Sequence, residues 1–377
     1  MKPLSLTRAG LGGGAAPGPP SDDLLDLASD YTQFSVPGPV AEAIAWAARQ
    51  TDLGRHNTAG GHYLCQAVAA KLLDVNDLEV GEDSIVLTGG GGVALTYALG
   101  AVCDPGDQVL VPDPGWTGYG RLAASWGAQP VPYAVGLDGV PDYDDLEDLI
   151  EPQTKVLLVN QPLNPTGAAL DDIAQHALVD FAREHDLYLL CDEQSDMLRL
   201  DGAQPVSLAR FDTDGRVVTV YSFARTHAMA GLRLGYLVAA PPLARAVAAA
   251  QESQMAGPST LALAAGHAAL TMDRSSIDSM IEAYRLHRDI VAANLPAAVL
   301  PYHPVGGYFM VVDVSACGYP DAAAFAAELH RAQNLRVAPG TLFGQQAAQL
   351  VRLTLAVRER ILGQALERLA NFMGVVQ

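Results

Sequence analysis

Short stretches of this chain carry residues that could act together on a phosphorylated aromatic compound. TGGGGVAL, from Thr88 to Leu95, sets glycines including Gly90 and Gly91 between an apolar run and a helical one. Bare backbone N–H groups at a helix start, with the positive end of the helix dipole, form a seat for an anion. The same glycines also suit plain tight packing. Ser222 and Arg233 add a hydroxyl and a guanidinium fork for one phosphate, although Arg233 taken alone reads as a surface ion pair. In DPGWTGY, Trp116 follows a strand-like run, where an indole either stacks on a planar ring or enters the core. NQPLNPTG doubles a polar–x–Pro turn and places Asn164 directly before Pro165. Asp192 closes the apolar run LYLLCD. A carboxylate there is costly unless paired, and a protonated pyridine nitrogen is one suitable partner.

The elements that would hold these residues follow from the pattern. From residue 84 onward, strand-like runs (DSIVLTGG, DQVLVPDP, KVLLVNQP, LYLLCDEQ, GRVVTVYSF) alternate with helical ones (VALTYALGAV, TGYGRLAASWG, ALDDIAQHALVDFAREH). Short apolar strands alternating with helices predict an α/β fold, a mostly parallel sheet covered on both faces. GLRLGYLVA reads as a further strand, antiparallel at its glycine-rich start. Parallel sheets bind ligands at the carboxyl ends of their strands, and the glycines, the NPTG turn, the DEQ segment and Arg225 all fall there. The remainder, with GGYFMVVDVS, an alanine-rich helix, LRVAPG, LVRLTLAV and a final helix, reads as a smaller α+β unit.

Together these give a phosphate seat, an aromatic plate, an amide donor and a carboxylate in chain order. In that order the chain resembles the class I/II aminotransferases, fold-type-I enzymes that use pyridoxal 5′-phosphate (PLP). The resemblance runs from about residue 25 to the end, through TGGGGVAL, DPGW, NQPLNPTG, CDE, SFARTHAMAGLRLGY, PVGGYFM, APGTLFG and VRLTLAV. It implies that Gly90, Gly91, Ser222 and Arg233 hold the phosphate and that Trp116 stacks on the ring. It further implies that Asn164 donates to the phenolic oxygen and Asp192 holds the pyridinium proton. Arg352, a strand-end charge if taken alone, resembles the arginine that forks onto a substrate α-carboxylate.

The chain departs from the family pattern where bonds are made. The family motif reads S-x-S-K with six residues to the following glycine; counted back from Gly231, the lysine position is Arg225 and the preceding serine is Ala224. A tyrosine expected three residues after Asp192 is Ser195, and the tyrosine lent by the partner subunit falls at Arg55. That lysine forms a Schiff base with PLP and shuttles a proton, whereas a guanidinium stays protonated and does neither. The only lysines are Lys2, Lys71 and Lys155. Lys155 begins a strand whose other end faces the site, roughly 15–20 Å away; Lys71 falls at a helix end and Lys2 in the N-terminal arm. His227, two residues from Arg225, is either a substitute base or a loop variant without a proton-transfer role. The implied protein binds PLP or pyridoxamine 5′-phosphate (PMP) non-covalently and acts on an amino-acid-like substrate without ordinary transamination, by elimination, cyclisation or adduct processing. The alternatives are an inactive scaffold partnering an active relative, or a pocket for a different phosphorylated aromatic compound. Arg55, His56 and His62 near the pocket edge would favour a polar or acidic group.

Composition sets the outer bounds. A net charge of −19 over 377 residues disfavours nucleic acid. Four cysteines without a CxxC pair argue for a reducing compartment and against a zinc site. No uninterrupted apolar run reaches 18 residues, the length expected of a membrane span, so a cytoplasmic protein is expected. The chain divides into a flexible arm (1–21), a helical segment packing with the small domain or bridging the two (22–75), a large α/β domain (76–275) and a small α+β domain (276–377). The family resemblance implies a homodimer.

Overall fold

The computed structural model describes residues 23–50, 53, 58–255 and 257–374. The first strand, β1 (Leu25–Asp26), and the helices α1 (Gly38–Gln50) and α2 (Thr58–Asn76) precede the main sheet. That sheet takes β2 (Ile85–Thr88), β3 (Gln108–Asp113), β4 (Gln129–Ala134), β5 (Thr154–Asn160), β6 (Tyr188–Asp192), β7 (Val217–Ser222) and β8 (Gly235–Val238) in the order β2-β8-β7-β6-β5-β3-β4. Neighbours from β7 through β4 run parallel, and β8 lies antiparallel to both β7 and β2. The expected α/β sheet and the reversed glycine-rich strand are therefore present.

Alternation along the strands explains why helices cover both faces. Val156 and Leu158 of β5 join the core on one face, with Leu95 and Leu99 of α3 (Gly91–Val102). Leu157 and Val159 join the opposite core, with Leu178 and Val179 of α6 (Asp172–Glu184). Between these helices come α4 (Gly118–Ser125) and α5 (Tyr143–Asp148); after them come α7 (Phe223–Thr226), α8 (Pro241–Met255) and α9 (Thr260–Thr271).

A second layer begins with α10 (Ser275–Asn294). It contains β9 (Phe309–Asp313), α11 (Ala322–Gln333), β10 (Leu335–Arg336), β11 (Ala338–Pro339), β12 (Leu350–Thr354) and α12 (Glu359–Met373). Its three-stranded antiparallel sheet, β11-β12-β9, shares a core with α10, α11 and α12.

The N-terminal segment, expected to pack with the small unit or to bridge the two, does not pack wholly with the small unit. Only its start packs there: β1 pairs with β10, and Leu25 and Leu27 enter the small unit's core. Helices α1 and α2 instead bury Val40, Leu64, Val68 and Leu72 against α9 and against Tyr221 and Tyr236 of the large sheet. The segment thus ties the two layers together. The expected N-terminal arm lies outside the described residues. Among the described residues, no helix is long and apolar enough to cross a membrane.

Candidate active site

Parallel pairing puts the ends of β2, β3, β5, β6 and β7 at one edge of the sheet. The antiparallel β8 contributes its start to the same edge. A cavity of about 170 Å³ opens there, lined by residues from six of those strand ends and from the 28–31 loop. Trp116, Asn164, Asp192, Arg225 and Arg233, singled out in the sequence, all line it, together with Asp30, Tyr31, Tyr119, Asn160 and Gln194.

The glycine seat is made by β2 running directly into α3. Gly90 caps the helix with φ 108°, a conformation that costs side-chain-bearing residues but not glycine. A Cβ built on Gly90 would lie 2.8 Å from Arg233 Nη2, and one on Gly91 would overlap the Gln194 carboxamide. The guanidinium is therefore drawn over the first turn of α3, where the helix dipole favours an anion. Arg233 holds a left-handed backbone, φ 52° and ψ 62°, which costs about 1–2 kcal/mol for a non-glycine residue. Such strain concentrates at binding sites.

Asp192 ends β6 with its carboxylate in the cavity wall. It accepts from the Tyr119 hydroxyl at 2.7 Å and from the Gln194 backbone N–H at 3.2 Å. Burial first, and the Asp192 charge second, hold the Tyr119 pKa well above its ordinary value, so the phenol stays a donor. Trp116 meets the Tyr119 ring edge-on at 5.2 Å between centroids. Asn160, at the end of β5, donates to the Asp192 carbonyl at 2.9 Å and accepts from the Asn164 backbone N–H at 2.9 Å. This bond fixes Asn164. Its Oδ1 accepts from Arg352, and its buried Nδ2 has no partner among the described residues.

An unpartnered buried amide donor in a polar cavity is costly unless a ligand completes it. An aromatic plate, a carboxylate and an arginine over a helix start surround that donor. The donor set fits a phosphorylated pyridine with a phenolic oxygen.

Arg225 projects from the one-turn helix α7, and Nη1 donates to Ser195 Oγ at 3.3 Å. Burial works against its charge. Tyr308, Asp30, Asp192 and Tyr119 together outweigh burial and push its pKa above the ordinary guanidinium value. Ser195 thus holds Arg225 and is not among the cavity-lining residues. Ser222 Oγ accepts from the Ala224 N–H at 3.1 Å, capping α7.

His227 departs from the expectation of a base beside Arg225. Residues two apart on a helical turn do not share a face, and His227 lines a separate small cavity with Lys71, Asp196 and Tyr221. Its Nδ1 lies 2.7 Å from Thr226 Oγ1, and burial, then the Lys71 charge, push its pKa down to about 4. The ring faces away from the candidate site and is neutral near pH 7.

Lys71 also lies behind the site. Its Nζ pairs with Asp196, donates to Asn76 Oδ1 at 2.7 Å and sits 4.7 Å above the Tyr221 ring. Lys155 is at the far end of β5, over Tyr188. No lysine lines the cavity among the described residues. His62 is exposed and pairs with Glu82 at 2.7 Å, away from the lining; Arg55 and His56 lie outside the described residues.

The small unit meets the site through Arg352, which touches Asn164 and Asp30 without itself lining the cavity. Arg352, 2% exposed, lies between Phe309 and Phe343, its guanidinium carbon 3.9 and 4.8 Å from their ring centroids. Nη1 donates to Asn164 Oδ1 at 2.9 Å and Nη2 to the Ala28 carbonyl at 2.8 Å; Asp30 Oδ1 stands 2.5 Å from Nη2. Asp30, Tyr119, Asn160 and Gln194 escaped the sequence reading. The nearest signals were the place of Tyr119 three residues after Trp116 and the first asparagine of NQPLNPTG.

A profile of the aminotransferase class I and II family matches residues 22–369. The aspartate/prephenate aminotransferase of Thermus thermophilus is 34% identical over 358 residues, covering 93% of this chain and 91% of its own. The solved aspartate aminotransferase of Thermus thermophilus with maleate superposes at TM-score 0.84, with 32% identity over 93% of this chain and 92% of that one. The aromatic aminotransferase of Pyrococcus horikoshii reaches TM-score 0.88 at 27% identity, over 94% and 98%.

Proposed function

Since the chain belongs to the class I and II aminotransferase family, we propose that it holds the family's cofactor without a covalent link. On this reading it acts on an amino-acid-like ligand by a route other than ordinary amino transfer. PLP, when bound in this family, supplies an electron sink and a carbonyl for the amino group. The residues fit that group. Arg233 and the start of α3 bind the phosphate, Trp116 covers one ring face, Asp192 holds the pyridinium proton and Asn164 Nδ2 donates to the phenolic oxygen.

The observation that carries the reading is Arg225. By the motif resemblance it takes the position of the family's Schiff-base lysine; it lines the cavity, and its surroundings favour the charged form. A permanently protonated guanidinium neither condenses with an aldehyde nor accepts a proton from carbon. What remains for it is electrostatic, as a fixed cation beside Asp192 and the phenolic oxygen. Spectral titration with PLP, followed by borohydride reduction, tests this: binding without a reducible link supports it, and normal transaminase turnover sinks it. A non-catalytic scaffold is disfavoured by the unpartnered Asn164 donor, which has no purpose without a ligand.

We also read the chain as a cytoplasmic homodimer. Supporting the dimer, Trp46 and Tyr63, on the two N-terminal helices, are 63% and 58% exposed.

A further inference from the structure

We infer that Asp30 closes the Arg352 fork to free α-carboxylates, so that this site takes an amine, or an amino acid whose carboxylate is masked as ester or amide. The inference rests on the cofactor reading above and narrows its ligand. Arginine binds a carboxylate bidentately along an edge of its planar fork, and each such edge uses Nη2. Here the Ala28 carbonyl takes one Nη2 N–H at 2.8 Å, and Asp30 Oδ1 forms an ion pair with Nη2 at 2.5 Å without hydrogen-bond geometry. Nη1 is held by Asn164. Nε has no partner, but alone it offers only a single bond. A second carboxylate at Nη2 would stand directly beside the Asp30 carboxylate.

The Asp30 side chain is 42% exposed and free to rotate, while its backbone is fixed beside Arg352. Tyr308 donates its hydroxyl to the Asp30 carbonyl at 2.6 Å, Thr354 N–H bonds the Leu27 carbonyl at 2.9 Å, and Gln33 N–H bonds the Ala356 carbonyl at 2.8 Å. Residues 27–33 are thereby stitched to the small unit on both sides of Asp30.

The probes are the stable reduced adducts N-(5′-phosphopyridoxyl)ethylamine and N-(5′-phosphopyridoxyl)alanine, which share the cofactor part and differ mainly by a carboxylate. Their affinities are measured by calorimetry on the native chain and on Asp30→Ala and Asp30→Asn, with PMP binding measured alongside. The native chain should bind the ethylamine adduct at least about tenfold more tightly, since like charges set side by side are disfavoured. Either substitution should shift the ratio of the two affinities at least about tenfold toward the alanine adduct. PMP binding with an unchanged ratio in both variants, or a native preference for the alanine adduct, overturns the role of Asp30 and points the carboxylate to Arg225. Failure of the native chain to bind PMP and both adducts defeats the cofactor reading, and this inference with it.

Discussion

Removing the Arg233 guanidinium should separate phosphate binding from everything else the cavity does. The side chain lies over Gly90 at the start of α3, and among the described residues its only hydrogen bond is a long one, 3.4 Å, to the Ala230 carbonyl. Arg233→Ala therefore leaves little protein structure unsatisfied. Hydrogen bonds to charged groups contribute about 1.5–3 kcal/mol, and because Arg233 is exposed the lower half of that range applies. The expected loss is about 1.5–2 kcal/mol, or roughly 10- to 30-fold in PLP affinity. Pyridoxal, lacking the phosphate, should bind the variant and the native chain alike. Arg233→Gly should lose PLP to the same extent. Yet it should unfold later than Arg233→Ala, because glycine relieves a left-handed strain of about 1 kcal/mol. Fluorescence titration with PLP and pyridoxal, with thermal melts of both variants, reads all of these. An equal loss for pyridoxal, or no loss for PLP, would refute the phosphate seat.

Asp192→Asn should weaken PLP binding while keeping an acceptor for the Tyr119 hydroxyl. Asp192→Ala should in addition cost about 1–3 kcal/mol of stability, because it strands that buried phenol; denaturant melts distinguish the two. Arg225→Lys should create a borohydride-reducible link to PLP that the native chain lacks, detectable as added mass on one peptide. His227 gives a pH signature. Its folded pKa of about 4 lies below the ordinary 6.5, so its contribution is full above about pH 6.5 and is lost as pH falls toward 4. The difference amounts to roughly 3 kcal/mol at about 1.4 kcal/mol per pH decade. Glu193, raised by burial to about 7, acts in the opposite sense, losing stability as pH rises from 4.5 through 7. His227→Phe should therefore flatten the acid side of the stability profile and leave PLP affinity near the native value; an unchanged profile would contradict its neutral burial.

How much of this was legible in the sequence depended on how local the determinants are. The sheet strands β2, β3, β5, β6 and β7 and the residues at their ends could be read because each motif directly follows its own apolar run. The reversal of β8 was signalled by its glycines. Strand β4 went unread because QPVPYA carries two prolines, tolerated only because it is the sheet edge. Tyr119 was passed over because a tyrosine on a short helix has no marker for a partner 73 positions away. Asp30 could not be foreseen at all: its partner Arg352 is more than 300 residues distant, and its own segment has no motif. On sequence alone His227 stays open between a substitute base and a loop variant, because proximity in sequence does not fix proximity in space; a single helical turn sends it to the other side. Lys71 was read as merely terminal on its helix, whereas its burial depends on Asp196, set in place by β6.

Absorbance titration of the purified chain with PLP, with borohydride reduction of the complex and mass analysis, tests the central claim most directly. The account predicts saturable binding and a protein mass unchanged by reduction. A reduced adduct mapped to Lys71 or Lys155 would contradict it, since the structure turns both amines away from the cavity.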